Sequence, residues 1–205
     1  MNWKIIIKDK KNQPQTGSYP DWKEQIAEEC YFQCIYCSIH EAQFGGIDHY
    51  HIEHYKPKSI ERFKNLENDI TNLFYSCPIC NRFKSNDWPN DEHDLNIICY
   101  PNPTIHDYNN IFKLNINTFK IEGLYLSSKY IVERLYLNRP QLIYERRETL
   151  LQEKHTNLRN EIEELLSKID DNDTLRSAYT LVNKSLDHLK KRSEIRPYKL
   201  SEIRK

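Results

Sequence analysis

Cys34-Ile35-Tyr36-Cys37 and, further along, Cys77-Pro78-Ile79-Cys80-Asn81-Arg82-Phe83-Lys84 are the stretches whose reading decides the fold. Two residues between cysteines let both thiolates of a turn point at one ion. Two such turns supply four sulfurs, the donor set of a tetrahedral zinc with bonds of about 2.3 Å. A redox pair at each place is the alternative, but it needs a strand-to-helix context, and one pair would suffice. Structural zinc on Cys34, Cys37, Cys77 and Cys80 is therefore the expectation. With all four positions taken by protein, that ion is not catalytic. Cys30 and Cys99 have no paired spacing and read as buried free thiols.

Between the knuckles lies Ile47-Asp48-His49-Tyr50-His51-Ile52-Glu53-His54-Tyr55-Lys56-Pro57, and after it Asn72-Leu73. Phosphodiester hydrolysis needs a base to deprotonate water and a divalent cation to neutralise charge on the leaving oxygen. A neutral histidine is the usual base near pH 7. A carboxylate and an amide oxygen are natural hard ligands for Mg²⁺.

The order Cys-x-x-Cys, acidic-His-x-x-Pro, Asn-Leu, Cys-x-x-Cys-Asn-x-x-Lys resembles the HNH nuclease family, whose ββα-metal motif folds two strands and a helix around one divalent ion. The resemblance covers about 50 of the 205 residues. It implies that His54 is the general base and that Glu53, in place of the usual Asp, ligates Mg²⁺ or Mn²⁺. It implies that Asn72 positions the base through backbone hydrogen bonds and that Asn81 is the second metal ligand. It places Lys84 at the phosphate. Asp48-His49 competes with Glu53-His54; the latter is preferred because Pro57 follows in register, whereas Ile52 holds that position after His49. On a regular strand His49 and His51 share parity and face away from His54. Lys56, Lys58, Arg62 and Lys64 follow the base; phosphate contact, assigned first to Lys56 and Lys58, competes there with a solvated loop. Asp87, Asp91, Glu92, His93 and Asp94 read as a solvated acidic turn rather than a second metal site.

More narrowly, His51-Ile52-Glu53-His54-Tyr55-Lys56-Pro57-Lys58-Ser59 resembles the HNH component of two-gene anti-phage systems of the Septu type, some of them retron-associated. That resemblance implies an ATPase partner. Net charge fits it: 30 Lys and Arg balance 30 Asp and Glu. A self-sufficient nucleic-acid binder usually carries a basic excess, because phosphate neutralisation drives most of its affinity.

The rest of the chain gives the frame. Hydrophobic residues make up 38%, with only 4 Gly but 14 Tyr, which argues for a packed core rather than disorder. No apolar run is long enough to span a membrane. Ile5-Ile6-Ile7 is too short for the apolar region of a signal peptide, so the expected location is cytoplasmic. Residues 1–29 hold a loop and a short helix from Trp22 into Cys30, with Asp21 as its cap. Residues 30–100 contain all six cysteines and five of the eight histidines. Residues 101–205 begin with turns and a short strand over 112–116 and become helical from Ser128 on.

There Leu151, Leu158, Ile162, Leu165 and Ile169, then Leu175, Ala178, Val182, Leu186 and Leu189, recur at helical spacing. Asp170-Asp171-Asn172-Asp173 interrupts them, so an αα-hairpin is expected. Its stripe reads as helix packing, internal or against a partner. The tail from Lys190 is basic. The expected class is α+β, mainly helical: a ββα-metal core, a four-cysteine zinc site and a C-terminal helical hairpin. The expected activity is a metal-dependent endonuclease acting on double-stranded DNA, working with an ATPase and as a homodimer within a larger complex. The rivals are an RNA nuclease and a zinc-stapled adaptor that has lost catalysis.

Overall fold

A computed structural model describes residues 3–91, 94–167 and 173–193, excluding the side chains at 165–166, 174, 178 and 188–193. Strand β1 (His51–His54) pairs antiparallel with β2 (Leu73–Ser76), placing Glu53 opposite Phe74 and His54 opposite Leu73. Helix α2 (Pro78–Lys84) follows, giving the order β, β, α. All four residues of β2 are buried, which suits an uninterrupted Leu-Phe-Tyr-Ser run. Cys77 has extended backbone and caps α2, its sulfur accepting from the Cys80 N–H at 3.4 Å. Pro78 takes the first helical position, where a missing N–H costs nothing.

Helix α1 (Lys23–Glu29) lies against β2. Its cap differs from the expected one. A 3-10 turn over Tyr19–Trp22 precedes it, and Asp21 accepts from the Ser18 N–H at 2.9 Å within that turn; Trp22 stands at the cap of α1. Helix α3 (Tyr108–Ile111) runs into β3 (Phe112–Leu114), which pairs antiparallel with β4 (Ile121–Gly123). The strand ends before Ile116 because the Asn115 side chain accepts from the N–H groups of Asn117 and Thr118, bending the chain into a turn.

Helix α4 (Leu126–Arg134) packs on β4 so closely that a Cβ at Gly123 would lie 2.2 Å from the Lys129 nitrogen. The helical region expected from Ser128 is interrupted after Arg134. Tyr136 takes a left-handed φ of 49°, and Pro140 opens α5 (Pro140–Ser167).

The abundance of tyrosine is explained by the core. Tyr36, Tyr50, Tyr75 and Tyr100 are fully buried, and each hydroxyl finds an acceptor: Glu53, the Ile39 carbonyl, Glu41 and Asp87. The same core takes Trp3, Ile6, Trp22 and Ile26 from the first 29 residues and Tyr108, Ile131 and Leu142 from beyond residue 100.

The described residues form two compact units, one ending at Ile143 and one beginning at Tyr144. The second comprises the rest of α5 and α6 (Asp173–Ser193), tied by Arg159, which bonds Glu163 and Asp187 at 3.0 Å each. Of the apolar series, Leu186 is buried and Leu151 and Ile162 half-buried, while Leu158, Leu175 and Val182 are exposed. Ile169, most of the acidic turn, the side chains of Leu165, Ala178 and Leu189, and those of the basic tail lie outside the described residues.

Candidate active site

Cys34, Cys37, Cys77 and Cys80 are all buried, and their sulfurs lie within 4.8 Å of one another. The Cys37 and Cys77 sulfurs are 3.8 Å apart. Four sulfurs around a tetrahedral ion with bonds of about 2.3 Å should sit about 3.8 Å from each other, so the group fits zinc. Among the described residues no other set of three His, Cys, Asp or Glu ligand atoms is gathered this way. The cluster joins the loop after α1 to the first turn of α2, and so fixes the start of the helix that follows the strands. Cys30 and Cys99 are buried thiols outside it, the latter donating to the Asp94 carbonyl at 3.3 Å.

Beside this staple a cleft of about 310 Å³ is lined by Glu53, His54, Lys58 and Asn81, among others. The half-buried His54 ring stands edge-on to Tyr19, with ring centres 4.8 Å apart. Its Nε2 lies 3.0 Å from the Glu67 carbonyl oxygen. A carbonyl only accepts, so Nε2 carries the hydrogen and donates, leaving the Nδ1 lone pair available. Burial pushes the ring's pKa below the ordinary histidine value, favouring the neutral form at pH 7.

Asn72 ties down the turn that carries the Glu67 carbonyl, through the neighbouring Leu66. The Asn72 Oδ1 accepts from the Lys56 N–H at 2.8 Å. Its Nδ2 donates to the Lys56 carbonyl at 3.0 Å and to the Leu66 carbonyl at 3.3 Å. One carboxamide thereby ties the segment after His54 to the turn that orients His54.

Glu53 is 3% exposed, and its carboxylate lies 2.6 Å from the Lys84 ammonium. Tyr36 donates to the same oxygen at 3.4 Å. Burial pushes the Glu53 carboxyl up, and Lys84 pulls against that shift. Lys84, placed at the phosphate by sequence, is fully buried. Besides Glu53 it donates to the His54 carbonyl at 3.1 Å, and it lies over the rings of Trp88 and Tyr100. Asn81, half-buried on α2, makes no side-chain hydrogen bond to the described residues. Glu53 and Asn81 are hard oxygen donors on one cleft and fit a cation such as Mg²⁺, which takes one or two protein oxygens and keeps several waters.

The basic residues after the base are engaged within the protein. Lys58 bonds Glu67 at 2.7 Å and Tyr19 at 2.8 Å, yet still borders the cleft. Lys56 lies over the Phe63 ring; Arg62 pairs with Asp91 and Lys64 with Glu61. Asp48 and His49 are exposed in a 3-10 turn before β1. The parity argument thus applies to His51, the exposed first residue of β1, and not to His49. In the acidic run, Asp87 accepts from Tyr100, Tyr130 and Arg134; Glu92 and His93 are outside the described residues.

Tyr36 and the Glu67 carbonyl escape the sequence reading. Tyr36 sits inside the first knuckle and was open to notice. A backbone carbonyl leaves no signal in residue type.

Residues 34–87 match the family model described as HNH endonuclease, so the chain carries an HNH domain that includes both knuckles and all of the cleft lining except Tyr19. No curated protein and no solved structure matches the chain. Among the described residues no helix is long and apolar enough to cross a membrane.

Proposed function

We propose that this chain is a metal-dependent HNH endonuclease that hydrolyses phosphodiester bonds, with double-stranded DNA favoured. The observation that carries the reading is the shared cleft: His54 with its Nδ1 available, beside the oxygen donors of Glu53 and Asn81. His54 Nδ1 takes a proton from water as the water oxygen bonds to phosphorus and the bridging P–O bond breaks. Glu53 and Asn81 would hold Mg²⁺ or Mn²⁺, which supplies charge stabilisation at the phosphate and leaving oxygens. Asn72 keeps the base aimed, Lys84 favours the ionised form of Glu53 against the effect of burial, and Lys58 borders the substrate path.

The zinc group serves the fold. The resemblance around His54 supports a cytoplasmic anti-phage effector working with an ATPase.

The test is cleavage of plasmid DNA and of total RNA by the purified chain with Mg²⁺ or Mn²⁺, with EDTA, and with His54→Ala. Cutting that needs both metal and His54 supports the reading and selects the substrate. Unimpaired cutting by His54→Ala overturns the assignment of the base.

A further inference from the structure

Arg139 lies outside the HNH match, separated from Cys37 by 102 positions, yet its guanidinium reaches three of the four cluster sulfurs. One terminal nitrogen is 3.6 Å from Cys80 Sγ. The other is 3.7 Å from each of Cys37, Cys77 and Cys80. Cys34 Sγ lies instead 3.7 Å from the Ser76 hydroxyl.

A zinc ion with four thiolates carries a net charge of −2, and burying such a charge is costly without a counter-charge. Arginine suits the place because its planar fork spans several acceptors and never deprotonates. The corner between α4 and α5 holds it: the Arg139 N–H donates to the Tyr136 carbonyl at 3.0 Å, and its own carbonyl accepts from the Leu142 N–H at 3.0 Å. The Arg139 Nε is buried with no hydrogen-bond partner among the described residues. That cost in polar satisfaction makes sense where the gain is electrostatic.

We propose that Arg139 is the counter-cation of the zinc site. It offsets half of the tetrathiolate's net charge, slows loss of the metal, and couples the α4–α5 corner to a knuckle far away in sequence. Arg139 does not ligate; it acts through the sulfurs.

The experiment follows zinc transfer from the loaded full-length chain to an excess of a chromophoric chelator, for the native protein, Arg139→Met and Arg139→Lys. Arg139→Met should release zinc on the order of tenfold faster or more, the usual effect of losing a partner of a metal ligand, with Arg139→Lys between the two. In the Co²⁺-loaded chain the sulfur-to-metal charge-transfer band should move in Arg139→Met and return toward native in Arg139→Lys. Native release and a native band in Arg139→Met would overturn the proposal. If Arg139→Met does not fold, Arg139→Gln replaces it. Slower release in Arg139→Lys than in Arg139→Gln then supports the charge role, and equal release overturns it.

Discussion

Single side chains at the cleft divide into those the fold depends on and those only the chemistry needs. Glu53 and Lys84 form a buried ion pair, and removing one partner leaves the other charge buried and uncompensated. Glu53→Ala is therefore expected to cost about 3–5 kcal/mol of stability, measured by urea unfolding. His54→Ala loses one hydrogen bond on a half-buried ring and should cost only about 1 kcal/mol. Equal stability losses in the two variants would contradict this division. The comparison also protects the cleavage test, because an inactive His54→Ala would then be inactive while folded. Sequence supplied both residue types at this scale but misjudged Lys84, because a lysine at the end of a helix carries no sign of whether it faces solvent or a buried carboxylate.

Elements are held by clusters that draw on distant parts of the chain. The four thiolates join the loop after α1 to α2, and zinc binding free energy at such sites is folding free energy. Stripping the metal with a strong chelator should abolish the cooperative melt of the first unit, followed by circular dichroism, and restoring zinc should recover it. A melt indifferent to zinc would exclude a structural metal. Asp87 is the second joint, binding Tyr100, Tyr130 and Arg134 and so anchoring α4 to the loop that follows α2.

Burial would raise the Asp87 pKa, but these donors outweigh it and hold the carboxyl below the usual aspartate value. A depressed carboxyl pKa gives stability that is present above the unfolded value, about 4, and is lost as pH falls below that through the folded value. Asp87→Asn should thus cost about 2 kcal/mol at pH 7 and flatten the stability curve below about pH 4. An unchanged acid limb would mean the network does not depend on the charge.

At the scale of the molecule, the first compact unit holds the four-cysteine group, the cleft and nearly all of the buried apolar residues, while among the described residues of the second Leu186 is the buried one. A chain ending after Ile143 keeps Arg139 and Leu142. It is expected to retain stoichiometric zinc and a cooperative melt, checked by metal analysis and calorimetry. An unfolded truncation would show that the helices from Tyr144 on contribute to the stability of the first unit.

Local pattern determined much of this protein. Paired cysteine spacing located the metal group, and the alternation of β1 separated His51 from His54. Resemblance to the HNH pattern picked out Glu53, His54 and Asn81, which line the cleft. These features rest on spacing of a few residues, which strand and turn geometry translate directly into position. Tertiary structure alone decided the rest: the orientation of His54 by the Glu67 carbonyl, the burial of Lys84 on Glu53, the joint at Asp87, and Arg139 on the sulfurs. Each depends on a backbone atom or on contacts between residues far apart in the chain. Such contacts exist only once packing has brought those segments together, and local periodicity carries no trace of them.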